Sequence, residues 1–136
     1  MLKAKIRSIE WRVIGKGFEV VVNKQIDFIE SDQHSQIFLD LSQYLKSILS
    51  QHLVMGKEGR RYAAVEVLIN TPHVQELIKK GDVVGVKEAL RASNEKGMQS
   101  FDISLYKLYE QGKVTLEEAI SHADSRTNLE AKINFG

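Results

Sequence analysis

At 136 residues the chain is long enough for one domain with a real core and too short for two of ordinary size. Its 19 basic and 18 acidic residues leave a formal charge of +1 spread along the sequence, without the electrostatic footprint that DNA, RNA or anionic lipid requires. Cysteine is absent, which excludes disulfides and thiolate metal sites and fits a reducing compartment, and no apolar run approaches the roughly 20 residues needed to cross a bilayer.

The first predicted element is a β-hairpin over about residues 5–22. Ile9, Trp11 and Val13 alternate with Glu10 and Arg12, Gly15 and Gly17 supply a turn, and "FEVVV" follows. "VNKQ" at 22–25 then forms a soft boundary. From Ser31 to His52, Ile37, Leu41, Leu45 and Leu49 recur four apart, which predicts a helix with one buried face and Ser31 or Asp32 as its cap. "MGKEGRR" reads as a polar turn, and "YAAVEVLIN" as a largely buried strand.

Four short helices are predicted after that strand. Thr71 caps the first, Pro72 suits its opening position, Val74, Leu77 and Ile78 form its inner face, and Gly81 stops it. The second runs from about Val83 to Asn94 and is closed by Gly97. Ser100 caps the third, with Phe101, Leu105, Leu108 and Tyr109 on one face and Gly112 at its end. Thr115 and Glu118 have capping-box spacing for the fourth, which carries Leu116, Ala119 and Ile120.

Chemistry is sparse. A nucleotide-hydrolysing domain needs a G-x-x-x-x-G-K-[ST] loop between a strand and a helix, and these residues contain none; "GKGFEV" has the wrong spacing and reads as a hairpin turn. The histidines His34, His52, His73 and His122 lack the H-x-x-x-H spacing of a metal site, and no G-x-S-x-G elbow occurs. Glu117 and Glu118 suit the dipole of a helix N-terminus. Glu66 lies inside an apolar strand, where a buried acid requires a partner; Arg60 or Arg61 is the candidate for a structural ion pair, weighed against a catalytic role. The helix "HVQELIKKG" is by pattern an amphipathic surface helix.

From about Ile26 onward the sequence resembles the C-terminal part of the type IV pilus retraction ATPases, the twitching-motility motors of the bacterial secretion-ATPase superfamily. The similarity is carried by "IDFIESDQHSQIFLDLSQYLKSILSQHLV", "GRRYAAVEVLINTP", "GMQSFD" and "VTLEEAISHADS", in the family's order. "AAVEVLINTP" and "EEAISHADS" make the accessory retraction paralogue the nearer match. The resemblance implies a mixed α/β fold: an unrelated segment over 1–25 containing the hairpin, then over 26–136 the distal part of a RecA-like ATPase domain. Residues 31–70 are the RecA-like remnant, a helix plus short strands, and 71–136 a C-terminal cluster of short helices.

It further implies a truncated or split motor subunit without ATP hydrolysis of its own. The family's ATP and Mg site lies upstream of the resemblance, so catalytic, cofactor and metal residues are expected to be none here. Removing that half of the sheet leaves a surface which the N-terminal hairpin is expected to cover. The short helical motif that the family needs for retraction falls on His73, Val74, Gln75, Glu76, Leu77, Ile78, Lys79 and Lys80. Its apolar frame is kept, but Gln75 replaces the usual arginine and Lys80 the usual glutamate. The expected partners are motor subunits of a hexameric ring and pilus-base proteins, with no nucleic acid and no direct membrane insertion, in the cytoplasm at the inner face of the cytoplasmic membrane. The alternative is an interaction module that docks onto such a ring or onto the pilus base. An unrelated small enzyme is the third reading.

Overall fold

A computed structural model describes residues 13–14 and 34–136. The expected hairpin over 5–22 and the cap at Ser31 or Asp32 lie outside the described residues, apart from Val13–Ile14. These form a short strand, β1, that runs parallel to β2 (Ser47–Met55), with Val13 opposite Ser50. β2 turns back antiparallel into β3 (Arg61–Ile69), and the register is continuous from Ser47 opposite Ile69 to Met55 opposite Arg61. Among the described residues six helices accompany this sheet: α1 (His34–Tyr44), α2 (Pro72–Lys79), α3 (Val83–Ala92), α4 (Phe101–Glu110), α5 (Leu116–His122) and α6 (Arg126–Phe135). The mixed α/β expectation therefore holds.

One expectation is corrected. The helix predicted to reach His52 stops at Tyr44, and Ser47–Met55 is a strand. Ile48, Ser50 and Val54 are buried on one face of β2, whereas Leu49 and Leu53 on the other are 60% and 51% exposed. The four-residue spacing of Leu41, Leu45 and Leu49 imitates a single helix by running across a boundary. Asn70, just past β3, fixes that boundary: its Nδ2 donates to the carbonyls of Ser42 (3.0 Å) and Leu45 (2.8 Å). β3 is likewise less buried than expected, with only Ala64, Glu66 and Leu68 enclosed, at the two-residue period of a one-faced strand.

Two apolar cores sit on the same face of the sheet. Ile37 and Leu41 of α1, Val74 and Ile78 of α2, and Val86 and Leu90 of α3 enclose Ile48 and Leu68. Phe101, Leu105 and Leu108 of α4, Ala119 of α5 and Leu129 of α6 enclose Val54 and Ala64. Between these two sets the strands oppose Ser50 to Glu66, both buried, so the inner face of the sheet is apolar, then polar, then apolar.

The helix caps follow the sequence closely. The side chains of Thr71, Asp82, Ser100, Thr115 and Ser125 each accept from an amide three residues on. Ser125 opens α6, a helix that the sequence reading did not include; of its residues only Leu129 is buried. Thr115 and Glu118 form only half a capping box. Thr115 Oγ1 accepts from Glu118 N–H (3.1 Å), but Glu118 Oε1 reaches instead to Met55 N–H (2.7 Å) and so ties α5 to the end of β2.

Gly81 and Gly112 end α2 and α4, each with φ of +70°. A Cβ on Gly112 would meet nothing within 4 Å, whereas one on Gly81 would lie 3.0 Å from the Phe38 ring. Gly112→Ala therefore carries only the left-handed backbone cost, about 1 kcal/mol, and Gly81→Ala should exceed it by an amount visible as a lower urea midpoint.

Candidate functional site

The segment Thr71–Gly81 is built from its cap inward. Thr71 Oγ1 accepts from Val74 N–H at 3.3 Å, and Pro72 starts the helix with no amide to leave unsatisfied. Val74 and Ile78, four apart, are almost fully enclosed in the first core, and Leu77 packs partly against it. His73, Gln75, Glu76, Lys79 and Lys80 remain exposed. The structure thus brings seven of the eight motif residues into one helix, with Lys80 as its C-cap, and gives it an anchoring apolar edge and a polar surface. Asp82 continues the unit: its N–H donates to the Leu77 carbonyl (3.0 Å), and its Oδ1 accepts from Gly85 N–H (2.8 Å) at the start of α3.

Glu66 is placed differently from the expectation. Arg61 lies five residues away along β3, about 16 Å on an extended strand and on the opposite face because the separation is odd. Arg60 lies further still, in the turn. Neither is brought to the Glu66 carboxyl. Its surroundings are the Phe101 N–H, which donates to it, the carboxylates of Asp124 and Asp102, and Lys87 of α3. Burial, reinforced chiefly by Asp124, pushes the Glu66 carboxyl up to about 7. Asp102 is also raised, first by burial, although its two oxygens accept from the amides of Asp124 (2.8 Å) and Ser125 (3.2 Å). Those two bonds fasten the α5–α6 linker to the start of α4.

Sequence reasoning missed what the "GMQSFD" segment does. The edge of β3 away from β2 would otherwise present open amides. Gln99 pairs with Val67 through both backbone groups (2.8 and 3.0 Å), its Nε2 donates to the Val65 carbonyl (2.7 Å), and Ser104 Oγ accepts from Val65 N–H (2.9 Å). Lys107 Nζ in turn holds Gln99 Oε1 at 2.7 Å. The only hint in the sequence is the polar pair Gln99–Ser100 in the connection between two helices.

Among the described residues no group of three His, Cys, Asp or Glu is placed to hold a metal ion, and no helix is long and apolar enough to cross a membrane.

The antiparallel pair β2–β3, edged by β1 and covered on one face by the six helices of the described residues, is an arrangement shared with a pilus motor ATPase of known structure. The crystal structure of the pilus retraction motor PilT with bound ADP superposes with a TM-score of 0.74 over 95% of this chain and 38% of that one, at 26% identity. No family model matches the sequence. The type IV pilus ATPase PilU of Pseudomonas aeruginosa is 46% identical over 112 residues, which are 82% of this chain and 29% of that protein. The retraction ATPase PilT of the same organism is 30% identical over 108 residues, 79% of this chain and 31% of its own length. The chain belongs with the type IV pilus retraction ATPases, as the counterpart of a part of them, and is more similar to PilU than to PilT. It spans under a third of the length of both relatives.

Proposed function

We propose that these residues serve as the distal part of a type IV pilus retraction motor subunit and do not hydrolyse ATP by themselves. The observation that carries this reading is the outer face of the sheet. Leu49, Leu53 and Met55 of β2 are exposed there, in register with Val67, Ala63 and Arg61 of β3. Gln51 and Arg61 interrupt this face, but three exposed large apolar side chains on one strand belong against another layer, as they would in a larger motor domain. A free-standing docking module has no use for it. The sequence adds that no phosphate loop lies within the 136 residues. ATP and Mg are then supplied elsewhere in the motor, and the setting is the cytoplasmic side of the pilus base.

Motor subunits of a hexameric ring and pilus-base proteins are the partners in this reading, and the exposed side of α2 is the contact. Copurification with an intact retraction motor tests it. The double substitution Lys79→Glu, Lys80→Glu changes only exposed side chains, so apart from about 1 to 2 kcal/mol lost by reversing two charges at the C-terminal end of α2 the fold should persist, while recovery falls several-fold. Equal recovery of both forms removes α2 as the contact. Micromolar ATP binding by the purified chain removes the proposal that it lacks a nucleotide site.

A further inference from the structure

A cavity of about 190 Å³ opens between β2, β3, α4 and the α5–α6 linker. Its depth comes from Ala64, whose small side chain faces it next to Val54, and one wall is Phe101 and Leu105, a single helical turn apart. A dry cavity on the order of 150 Å³ holds a benzene ring, so a chain of four or five heavy atoms fits here. The polar groups are His52, His122 and Asp124, which are exposed where the apolar walls are buried. The His52 and His122 rings lie 4.7 Å apart, and His122 Nε2 is 3.2 Å from Glu118 Oε1, the same oxygen that receives the Met55 amide.

Glu118 is thus occupied, whereas the Asp124 side chain has no such partner among the described residues. Among the described residues no lysine, arginine or histidine stands within ion-pair distance of the Asp124 carboxylate. The negative charge of Asp102 adds to its field, and the compensating cations, Lys87 and Arg91, act on Glu66 and Asp102 from α3. An apolar slot whose mouth holds a carboxylate without an ion-pair partner among the described residues is complementary to one kind of side chain, an aliphatic stem that ends in a cation. Phe101 adds an aromatic wall against which the aliphatic stem packs.

We propose that this cavity is a docking pocket for a lysine or arginine side chain presented by a protein partner. The site is separate from α2 and independent of the motor reading. The stem lies against Ala64, Phe101 and Leu105, and the head pairs with Asp124.

The probe is n-butylguanidinium chloride, titrated into the full 136-residue chain while the methyl signals of Ala64 and Leu105 and the ring signals of His52 and His122 are followed by NMR. n-Butanol and sodium butyrate, at matched ionic strength, are the controls. Saturable shifts confined to these residues, at least several-fold stronger for the cation than for either control, are expected. Asp124→Asn should weaken the cation by about fivefold without altering butanol, as the loss of a solvent-accessible charge pair implies. Ala64→Leu should abolish all binding by filling the slot. Because Asp124 is exposed and its amide bond to Asp102 survives the change to Asn, that variant tests the pocket even if Ala64→Leu disturbs the fold. Equal affinity for butanol and the cation, no saturation, or an unchanged affinity in Asp124→Asn each overturns the proposal.

Discussion

Glu66→Gln should stabilise the chain by about 2 to 3 kcal/mol at pH 8 and leave it nearly unchanged at pH 4. The folded carboxyl titrates at about 7 against an ordinary value of 4.5. Between those values the folded chain keeps a proton that the unfolded chain has released, so stability falls as pH rises. The contribution of Glu66 is fully present below about pH 4.5 and lost as pH passes through about 7. Each pH unit in that window is worth about 1.4 kcal/mol, which sets the upper limit near 3. Glutamine keeps a carbonyl oxygen for the Phe101 N–H and has no charge to bury beside Asp124 and Asp102. Urea unfolding of both forms at pH 4, 6 and 8 measures the difference. A gap that does not grow with pH would mean that the folded carboxyl is ionised as readily as the unfolded one. Asp102, also raised, adds to the slope of both forms in the same direction.

Glu66 also shows where the sequence ceased to be legible. That an acid within "AAVEVLI" needs company was readable from burial alone. Its company was not, because Asp102 and Asp124 are 36 and 58 positions away and meet it only after α4 and the α5–α6 linker fold onto the sheet. Arg60 and Arg61 were near in sequence, but a strand carries near neighbours away at about 3.3 Å per residue and alternates their faces. The α2 unit was legible almost to the residue, since Thr71, Pro72 and Gly81 act within a turn of the helix ends and the four-residue spacing of Val74 and Ile78 marks its inner face whatever packs there. Leu49 misled for the opposite reason. It continues the helical spacing of α1 but belongs to β2, where pairing with Val67 decides its conformation and leaves it exposed. An exposed apolar residue is legible only to a reader who knows what covers it.

Ile78→Ala should cost about 3 kcal/mol, among the largest losses available to a single substitution in α2. Ile78 is 0% exposed and packs in the core that α1, α2, α3 and both long strands share, so removing three carbons loses their transfer energy and leaves a cavity that four elements must collapse to fill. Ile78→Val, which removes one carbon, should cost about 1 kcal/mol. An eight-residue helix has little stability of its own, so the geometry of the His73–Lys80 surface depends on this packing. The two kinds of change in α2 therefore separate by their readouts. Lys79→Glu, Lys80→Glu should lower the midpoint modestly, through the helix dipole, yet reduce motor binding even at temperatures where the chain is fully folded. Ile78→Ala should lower the midpoint first, and reduce binding in proportion to the population that unfolds, so that cooling restores it. If Ile78→Ala abolishes binding at a temperature where the chain is fully folded, the apolar edge of α2 is part of the contact and its burial here is replaced by burial in the partner. If binding recovers on cooling, Ile78 acts only by holding the helix in place, and the polar side of α2 is what the partner meets.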